Sequence, residues 1–355
     1  METDYNIGNG GRMGVRIHDV AARAGVSVAT ASRALSGQRG VRATNREKVL
    51  AAARELNYEP NGVAAALRRR TTHTIGMLVP RISNPFFATL VEAVEWQLQD
   101  GQRSLLLGNS RYDPEIEARQ VRALLDRQVD ALVMIPCHRE RSIAVMDTAA
   151  ARVPTIQLDL RVDGYTGSWV GVDNEAGISQ VVEHLLGLGA ERLAFIGAQP
   201  ADSSAQARLD GYQRGVRRRP GSVEAVLLGG FSKEWGQQAA EQLLDSAHLP
   251  DGVVCGNDTI AMGVLDVLTR RGVRVPEDVR VTGFDDIPYA ELVQPPLTTV
   301  RQPLEQITAE AVRVLTSRLA GADSPPQRIA VAPELIVRGS TRPERETSGA
   351  WANTT

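Results

Sequence analysis

The chain has few of the groups that covalent, redox or metal chemistry uses, and its sequence gathers none of them into a recognisable motif. Its two cysteines, Cys137 and Cys255, stand far apart in 355 residues, which excludes a disulfide framework. The five histidines are scattered, and Cys137 and His138 are adjacent rather than at metal-ligand spacing. There is no Walker loop and no Gly-x-Ser-x-Gly elbow, and the glycine run Gly8 to Gly11 precedes any strand. Nothing assembles a nucleophile with a base, so neither catalysis nor a metal or cofactor is expected. No apolar stretch approaches the ~20 residues needed to cross a bilayer. Met1 to Met13 is polar and glycine-rich, without the apolar core of a signal peptide. Residues 1–13 read as disordered, with Met13 an alternative start, and the expected setting is cytoplasmic with no membrane partner. Lys48 and Lys233 are the only lysines, an arginine bias that GC-rich coding explains.

What is present is ample core and uneven charge. A length of 355 residues suggests two or three domains, and a hydrophobic fraction of 43% suffices for a sizeable interior. The net charge of -2 hides an asymmetry: Arg12 to Arg70 holds 12 basic residues against 4 acidic. A basic module on an acidic body is the electrostatic footprint of a nucleic-acid binder.

That basic stretch opens with helix, glycine turn, helix. Val20, Ala21 and Ala24 form an inward stripe at helical spacing. Gly25 ends the helix where a residue without Cβ is favoured, and Ser27 sits as the next N-cap. The second helix buries Ala31, Ala34 and Leu35 and turns Ala29, Ser32, Arg33 and Ser36 outward. Such small residues let two helices cross closely, as a helix-turn-helix requires. A third helix runs from Thr44 to Leu56, with Val49, Ala52, Ala53 and Leu56 inward. Asn57 to Asn61 breaks it at Pro60. Asn61 to Leu67 then predicts one short helix, marginal alone in water, before Arg68-Arg69-Arg70.

From Thr74 short apolar runs alternate with amphipathic helices. The first series has strands at Ile75–Val79, Ser104–Leu107, Ala131–Ile135 and Thr155–Leu158, with helices at Phe86–Leu98, Arg119–Leu125 and Ser142–Ala149. The second has strands at Leu193–Ile196, Ala225–Leu228, Val253–Cys255 and Val279–Val281. Its helices run roughly Gly177–Leu188, Ala205–Val216, Trp235–Leu244 and Ile260–Leu268. Leu304 to Leu319 and two short strands near Ile329 and Leu335 are long enough to cross back over both. The pattern predicts an α/β core of two doubly wound parallel-sheet subdomains with a cleft between them, behind an all-α helix-turn-helix domain.

In doubly wound sheets ligands bind beyond the carboxyl ends of strands. Asp159, Asn257-Asp258 and Asp285-Asp286 stand there, and Arg208 heads a helix after the Gly197 to Ser204 loop. Carboxylates, an amide and a guanidinium fork suit a polyhydroxylated ligand. Asp258 and Asp286 read as helix caps, Asp285 and Arg208 as ligand groups. Aromatic residues make up only 4% of the chain, so Phe86, Phe87 and Phe231 near the cleft are candidate platforms for a sugar face, with core packing the other reading of Phe86.

These residues fall into motifs. Ile17 to Arg33, Asn57-Tyr58-Glu-Pro60-Asn61, Asn84-Pro-Phe-Phe87, Val172-Asp-Asn174, Arg208-Leu-Asp-Gly-Tyr212, Gly256-Asn-Asp258, Gly283-Phe-Asp-Asp-Ile287 and Pro295-Pro-Leu-Thr-Thr299 follow in order. In them the chain resembles the LacI/GalR family of bacterial transcription repressors, over about Gly14 to Pro343. The resemblance implies a dimer, a core similar to periplasmic sugar-binding proteins (type I), a palindromic double-stranded DNA operator, and a small sugar-like effector in the cleft. The family's base-reading positions fall on Val28 and Ala29, which can meet a thymine methyl but make no hydrogen bond to a base. Arg33 matches the guanine reader, Thr30 and Ser32 match phosphate contacts, and Ser36 shares their face. In the hinge, Asn61 caps a helix whose Ala64 and Leu67 match minor-groove positions. Asp159, Arg208, Asn257 and Asp285 match positions that hold effector hydroxyls, with Phe231 the platform beside Phe86 and Phe87.

The implied domains are a DNA-binding domain over 14–59, a hinge over 60–71, and a core over 72–342. The core divides into an N-subdomain (about 72–172 plus 301–330) and a C-subdomain (about 173–300 plus 331–342). Residues 343–355 form a polar tail with no leucine heptad, so a homodimer rather than a tetramer is expected. The competing reading is a sugar-binding module or sugar-utilising enzyme without a regulatory role; the basic module and the missing catalytic group weigh against it. On the hinge reading, Leu67→Ala greatly reduces specific DNA affinity and DNA bending. Non-specific binding, which is mostly phosphate electrostatics, falls little. Gel-shift and bending assays check this, and unchanged bending and affinity would rule the wedge out.

Overall fold

The computed structural model describes residues 15–36, 40–58, 71–218, 223–246 and 248–342. Asn61, Ala64 and Leu67, the expected hinge helix and both expected disordered ends lie outside these. The chain divides into two compact units, one ending at Thr72 and the other beginning at His73.

The first unit is three helices, α1 (Ile17–Ala24), α2 (Val28–Leu35) and α3 (Ala43–Glu55). The Asp19 carboxylate accepts the Arg16 N–H at 2.8 Å at the start of α1. Gly25, at φ 66°, ends it with the Val26 N–H turned back to the Ala21 carbonyl. The Ser27 hydroxyl then caps α2 by accepting the Thr30 N–H. The interior is almost all alanine and valine: Val20, Ala21, Ala24, Ala31, Ala34, Val49, Ala52 and Ala53. Leu35 is half-buried against it rather than buried. An Arg23–Glu55 ion pair of 2.7 Å joins α1 to α3; both groups are exposed, so it adds at most about 1 kcal/mol.

The second unit carries two parallel sheets. The first contains β1 (Thr74–Val79), β2 (Ser104–Asn109), β3 (Ala131–Met134), β4 (Thr155–Leu158), β5 (Trp169–Val172) and β11 (Arg328–Val331), in the order β11-β5-β4-β3-β1-β2. Its helices are α4 (Pro85–Gln99), α5 (Pro114–Asp126), α6 (Ile143–Ala150) and α11 (Leu304–Leu319). The second contains β6 (Arg192–Ala198), β7 (Val223–Gly229), β8 (Gly252–Cys255) and β9 (Arg280–Thr282), in the order β7-β6-β8-β9. Its helices are α7 (Asn174–Gly187), α8 (Ser203–Arg217), α9 (Lys233–Leu244) and α10 (Asp258–Arg270). This is the doubly wound pair the alternation predicted. The chain passes between the sheets three times, and two of the passages, β10 (Thr299–Arg301) and β12 (Glu334–Ile336), pair antiparallel.

Two strands are additions to the sequence reading, β5 and β10. β5 hides because Gly164 and Gly167 precede it and Gly171 interrupts it. A Cβ on Gly171 would stand 2.5 Å from the Trp169 ring, so the glycine makes room for the indole. Helix starts are set by short polar caps at strand ends. Asn84, Asp113, Asp173, Asp202, Ser232 and Asn257 each accept a backbone N–H at the head of α4, α5, α7, α8, α9 and α10. Asp258, read from sequence as a cap, is instead the first residue of α10; its carboxylate reaches across to the Ile287 N–H at 2.8 Å and to the Thr299 hydroxyl. Asp286 caps nothing either. It holds Arg301 and Arg338, each at 2.7 Å.

Helices α9 and α10 touch backbone to backbone. A Cβ on Gly263 would lie 2.2 Å from the Lys233 carbonyl, and one on Gly236 2.2 Å from the Ile260 carbonyl. Neither backbone can yield without parting the helices. Gly263→Ala is expected to destabilise the core by about 1–3 kcal/mol or more through overpacking, measured by urea unfolding, whereas Gly187→Ala, where the space is open, changes stability little.

Candidate effector cavity and nucleic-acid interface

The strand ends of the two sheets meet around one small cavity. Asp159 follows β4, Asp202 and Arg208 belong to the head of α8, Asn257 follows β8, and Asp285 follows β9; all line it. Phe86 and Phe87 reach it from the first turn of α4, and Phe231 from the loop after β7. The structure thus gathers all seven residues read from sequence as effector-binding. Phe86 and Phe87 also belong to the hydrophobic core, edge to face at 5.3 Å, so Phe86 packs in the core, as its other reading had it, while it lines the cavity. Asn84, Tyr112, Leu160, Asp202 and Ser204 complete the lining and were missed. Asn84 and Asp202 look in sequence like ordinary caps, which they also are. The cavity measures about 20 Å³, room for one or two waters.

Arg208 is its electrostatic centre. The guanidinium is 4% exposed. It donates from Nε to Asn174 Oδ1 at 2.8 Å, from Nη1 to the Gly256 carbonyl at 2.7 Å, and from Nη2 to Asp285 Oδ1 at 3.4 Å. Its plane lies 3.7 Å from the Phe284 ring centre. Asp285 Oδ1 also accepts from Gln302 Nε2 at 2.8 Å. Asp159, Asp285 and Asp286 all sit at positive φ, 62°, 110° and 54°. Non-glycine residues there carry backbone strain of order 1–3 kcal/mol, a pattern found at ligand sites.

Burial raises the carboxyl pKa of Asp159 to about 7, against the pull of Arg208 and with the push of Asp285 and Asp202. Asp285 is raised to about 6 by burial, again opposed by Arg208. Asp202 is raised by the same cause. The Tyr112 hydroxyl is pushed far up by burial and by Asp202. Asp159 Oδ1 is buried without a hydrogen-bond partner. Among the described residues no His, Cys, Asp and Glu group could hold a metal ion, and no helix is long and apolar enough to cross a membrane.

In the first unit the expected DNA-facing residues lie on one side of α2. Ala29 and Arg33 are exposed, while Val28, Thr30, Ser32 and Ser36 are half-buried. Val28 packs on the three-helix core, which leaves only part of its side chain to meet a base. The Thr30 hydroxyl pairs with Ser27 at 2.9 Å, and the Ser36 hydroxyl donates to the Ser32 carbonyl at 2.8 Å. Arg33 Nε donates to the Ala29 carbonyl at 3.2 Å, so its fork lies back along the helix.

A raised carboxyl pKa makes the folded state hold its proton longer than the unfolded chain does. The stability Asp159 contributes is complete below about pH 4 and is lost as pH rises through about 7. Asp159→Asn cannot ionise. Its melting temperature relative to wild type should therefore climb between about pH 4 and about pH 8; a difference constant across that range would refute the buried, partnerless carboxylate.

Residues 16–61 match the bacterial regulatory proteins of the lacI family, and residues 182–341 the periplasmic binding protein-like domain. The chain is 31% identical over 333 residues to the HTH-type transcriptional repressor PurR of Haemophilus influenzae (strain PittEE), covering 92% of this chain and 98% of that one. It is 32% identical over 335 residues to the ribose operon repressor of Escherichia coli (strain K12), covering 91% and 98%. Its fold is similar to the lac repressor dimer bound to operator and the anti-inducer ONPF, with a TM-score of 0.85 at 29% identity, covering 92% of this chain and 99% of that one. The helix-turn-helix unit, the two-sheet core with its strand-end cavity and this near-full-length likeness place the chain in one group: it belongs to the lacI family of bacterial regulatory proteins.

Proposed function

We propose that the chain is a cytoplasmic transcriptional repressor of carbohydrate-utilisation genes that binds a palindromic operator as a homodimer. Its DNA-binding domain spans 14–59, its hinge 60–71 and its core 72–342, and a small sugar-like effector in the cavity alters its operator affinity. The observation that carries the reading is the pairing, in one chain, of a helix-turn-helix bearing an exposed arginine with a buried cavity rich in hydroxyl-binding groups. The relatives that the chain matches over nearly its whole length are transcriptional repressors, which favours this reading over that of a sugar-utilising enzyme. Direct readout rests on few side chains. Ala29 supplies a methyl, and Arg33 can grip guanine O6 and N7 once it leaves the Ala29 carbonyl.

A gel-shift on the DNA upstream of the chain's own gene, with and without sugars, tests this reading; no binding to that DNA or to any selected palindrome sinks it. Arg33→Ala should lose about 1–3 kcal/mol of specific binding and relax preference at one symmetric base position. Equal losses on specific and random DNA would make Arg33 a phosphate contact instead.

A further inference from the structure

The cavity lining carries three carboxylates, Asp159, Asp202 and Asp285, and one cation, Arg208. All four are at most 7% exposed. One guanidinium cannot balance three carboxylates, although its charge acts on all of them. Asn174 and the Gly256 carbonyl take its short hydrogen bonds, Phe284 covers its plane, and Asp285 receives a contact of 3.4 Å. Asp202 Oδ1 is held by the Ala205 N–H at 2.7 Å and the Ser204 hydroxyl at 3.0 Å, both neutral donors. Asp159 keeps Oδ1 buried with no partner at all. Other arginines stand nearby without lining the cavity: Arg81 lies 5.3 Å from the ring centre of Tyr112, a lining residue, Arg161 lies 4.9 Å from that of Trp169 in a neighbouring pocket that Asp159 also borders, and Arg139 pairs with Asp163.

We infer that the effector of this cavity is an amino sugar, whose ammonium group sits among Asp159, Asp202 and Asp285. The inference rests on the proposal that the cavity is the effector site. An ammonium offers three donors, no acceptor and one positive charge, which halves the formal excess of two negative charges in the lining and gives the partnerless Asp159 oxygen a donor. Its hydrogen bonds to carboxylates are charge-assisted and about twice as strong as those of a neutral hydroxyl. The rings of Phe86, Phe87 and Phe231 add surfaces that attract a cation. A sugar acid or sugar phosphate would bring a further negative charge into a buried, already acidic space, which is costly. With no ligand cation to balance them, protons do so in part: burial raises all three carboxyl pKa values.

The test uses the full chain and a matched set: glucose, galactose and mannose, their 2-amino-2-deoxy forms, the N-acetylated forms and the uronic acids. Binding is measured by thermal shift and calorimetry, since a ligand specific for the native state raises its melting temperature. The tightest ligand is expected to be an amine-bearing member, at least about tenfold tighter than its parent sugar, with the uronic acids weakest. Asp202→Asn keeps a good helix cap and should erase most of the amine preference. A tightest ligand that is neutral or acidic, no stabilisation by any amine-bearing member, or an amine preference unchanged in Asp202→Asn each overturns the inference. Operator binding, followed by fluorescence anisotropy on the same samples, separates the two readings. A chain that binds DNA but prefers a neutral sugar loses the amino-sugar assignment and remains a repressor. One that binds amino sugars but no DNA keeps that assignment and is no repressor.

Discussion

The core is organised around one buried guanidinium. Arg208 lies in α8, yet its partners belong to three other places: Asn174 where the chain first leaves β5, Gly256 at the end of β8, and Phe284 with Asp285 beyond β9. A charge taken this far from water is tolerated only when its donors are satisfied, and stripping a partner from such a group costs about 3–5 kcal/mol. Arg208 therefore fixes where three strand ends stop. It also helps to hold Asp285 in a backbone conformation that an aspartate does not choose freely, together with Gln302 and the hydrogen bond from the Asp285 N–H to the Val300 carbonyl.

Several cavity residues serve twice. Asn84, Asp202 and Asn257 each spend an oxygen on the first turn of a helix and present the rest of the side chain to the cavity. The arrangement follows from the topology. In a parallel sheet every helix begins near the carboxyl end of a strand, so the residues best suited to cap helices collect where ligands bind. A polar group anchored by its own backbone turn loses little conformational freedom when a ligand arrives.

Much of this was legible in the chain because the signals are local. Gly25 and Ser27 mark the turn between two helices within three residues, and the alternation of apolar runs with amphipathic stretches marks both sheets. The strand-end positions of Asp159, Asn257 and Asp285, and that of Arg208 at the head of a helix, follow from the same alternation. What escaped depends on distant partners. Asp202 sits in Pro-Ala-Asp-Ser-Ser, which reads as a loop entering a helix. Tyr112 reaches the cavity only because Arg111 and Tyr112 both turn into the left-handed region, at φ 56° and 58°. Asp258 and Asn257 are equally good caps on local grounds, and the Ile287 N–H and Thr299, some thirty and forty residues away, decide between them. β5 was hidden by its glycines, of which Gly171 makes room for an indole ring.

On the proposal that the effector binds in this cavity, its smallness bears on how readily the protein responds. A space of about 20 Å³ is smaller than a sugar ring, so on that proposal the two sheets must stand apart to admit it. Capture is then rationed by the fraction of time the cleft is open, and apparent affinity is the intrinsic affinity scaled by that fraction. The Asp286 contacts with Arg301 and Arg338 and the β10–β12 ladder lie along the passages between the sheets. They bear on that opening equilibrium without lining the cavity. Sensitivity to the effector could thus drift during evolution through residues that the ligand never meets, leaving its chemical selectivity intact.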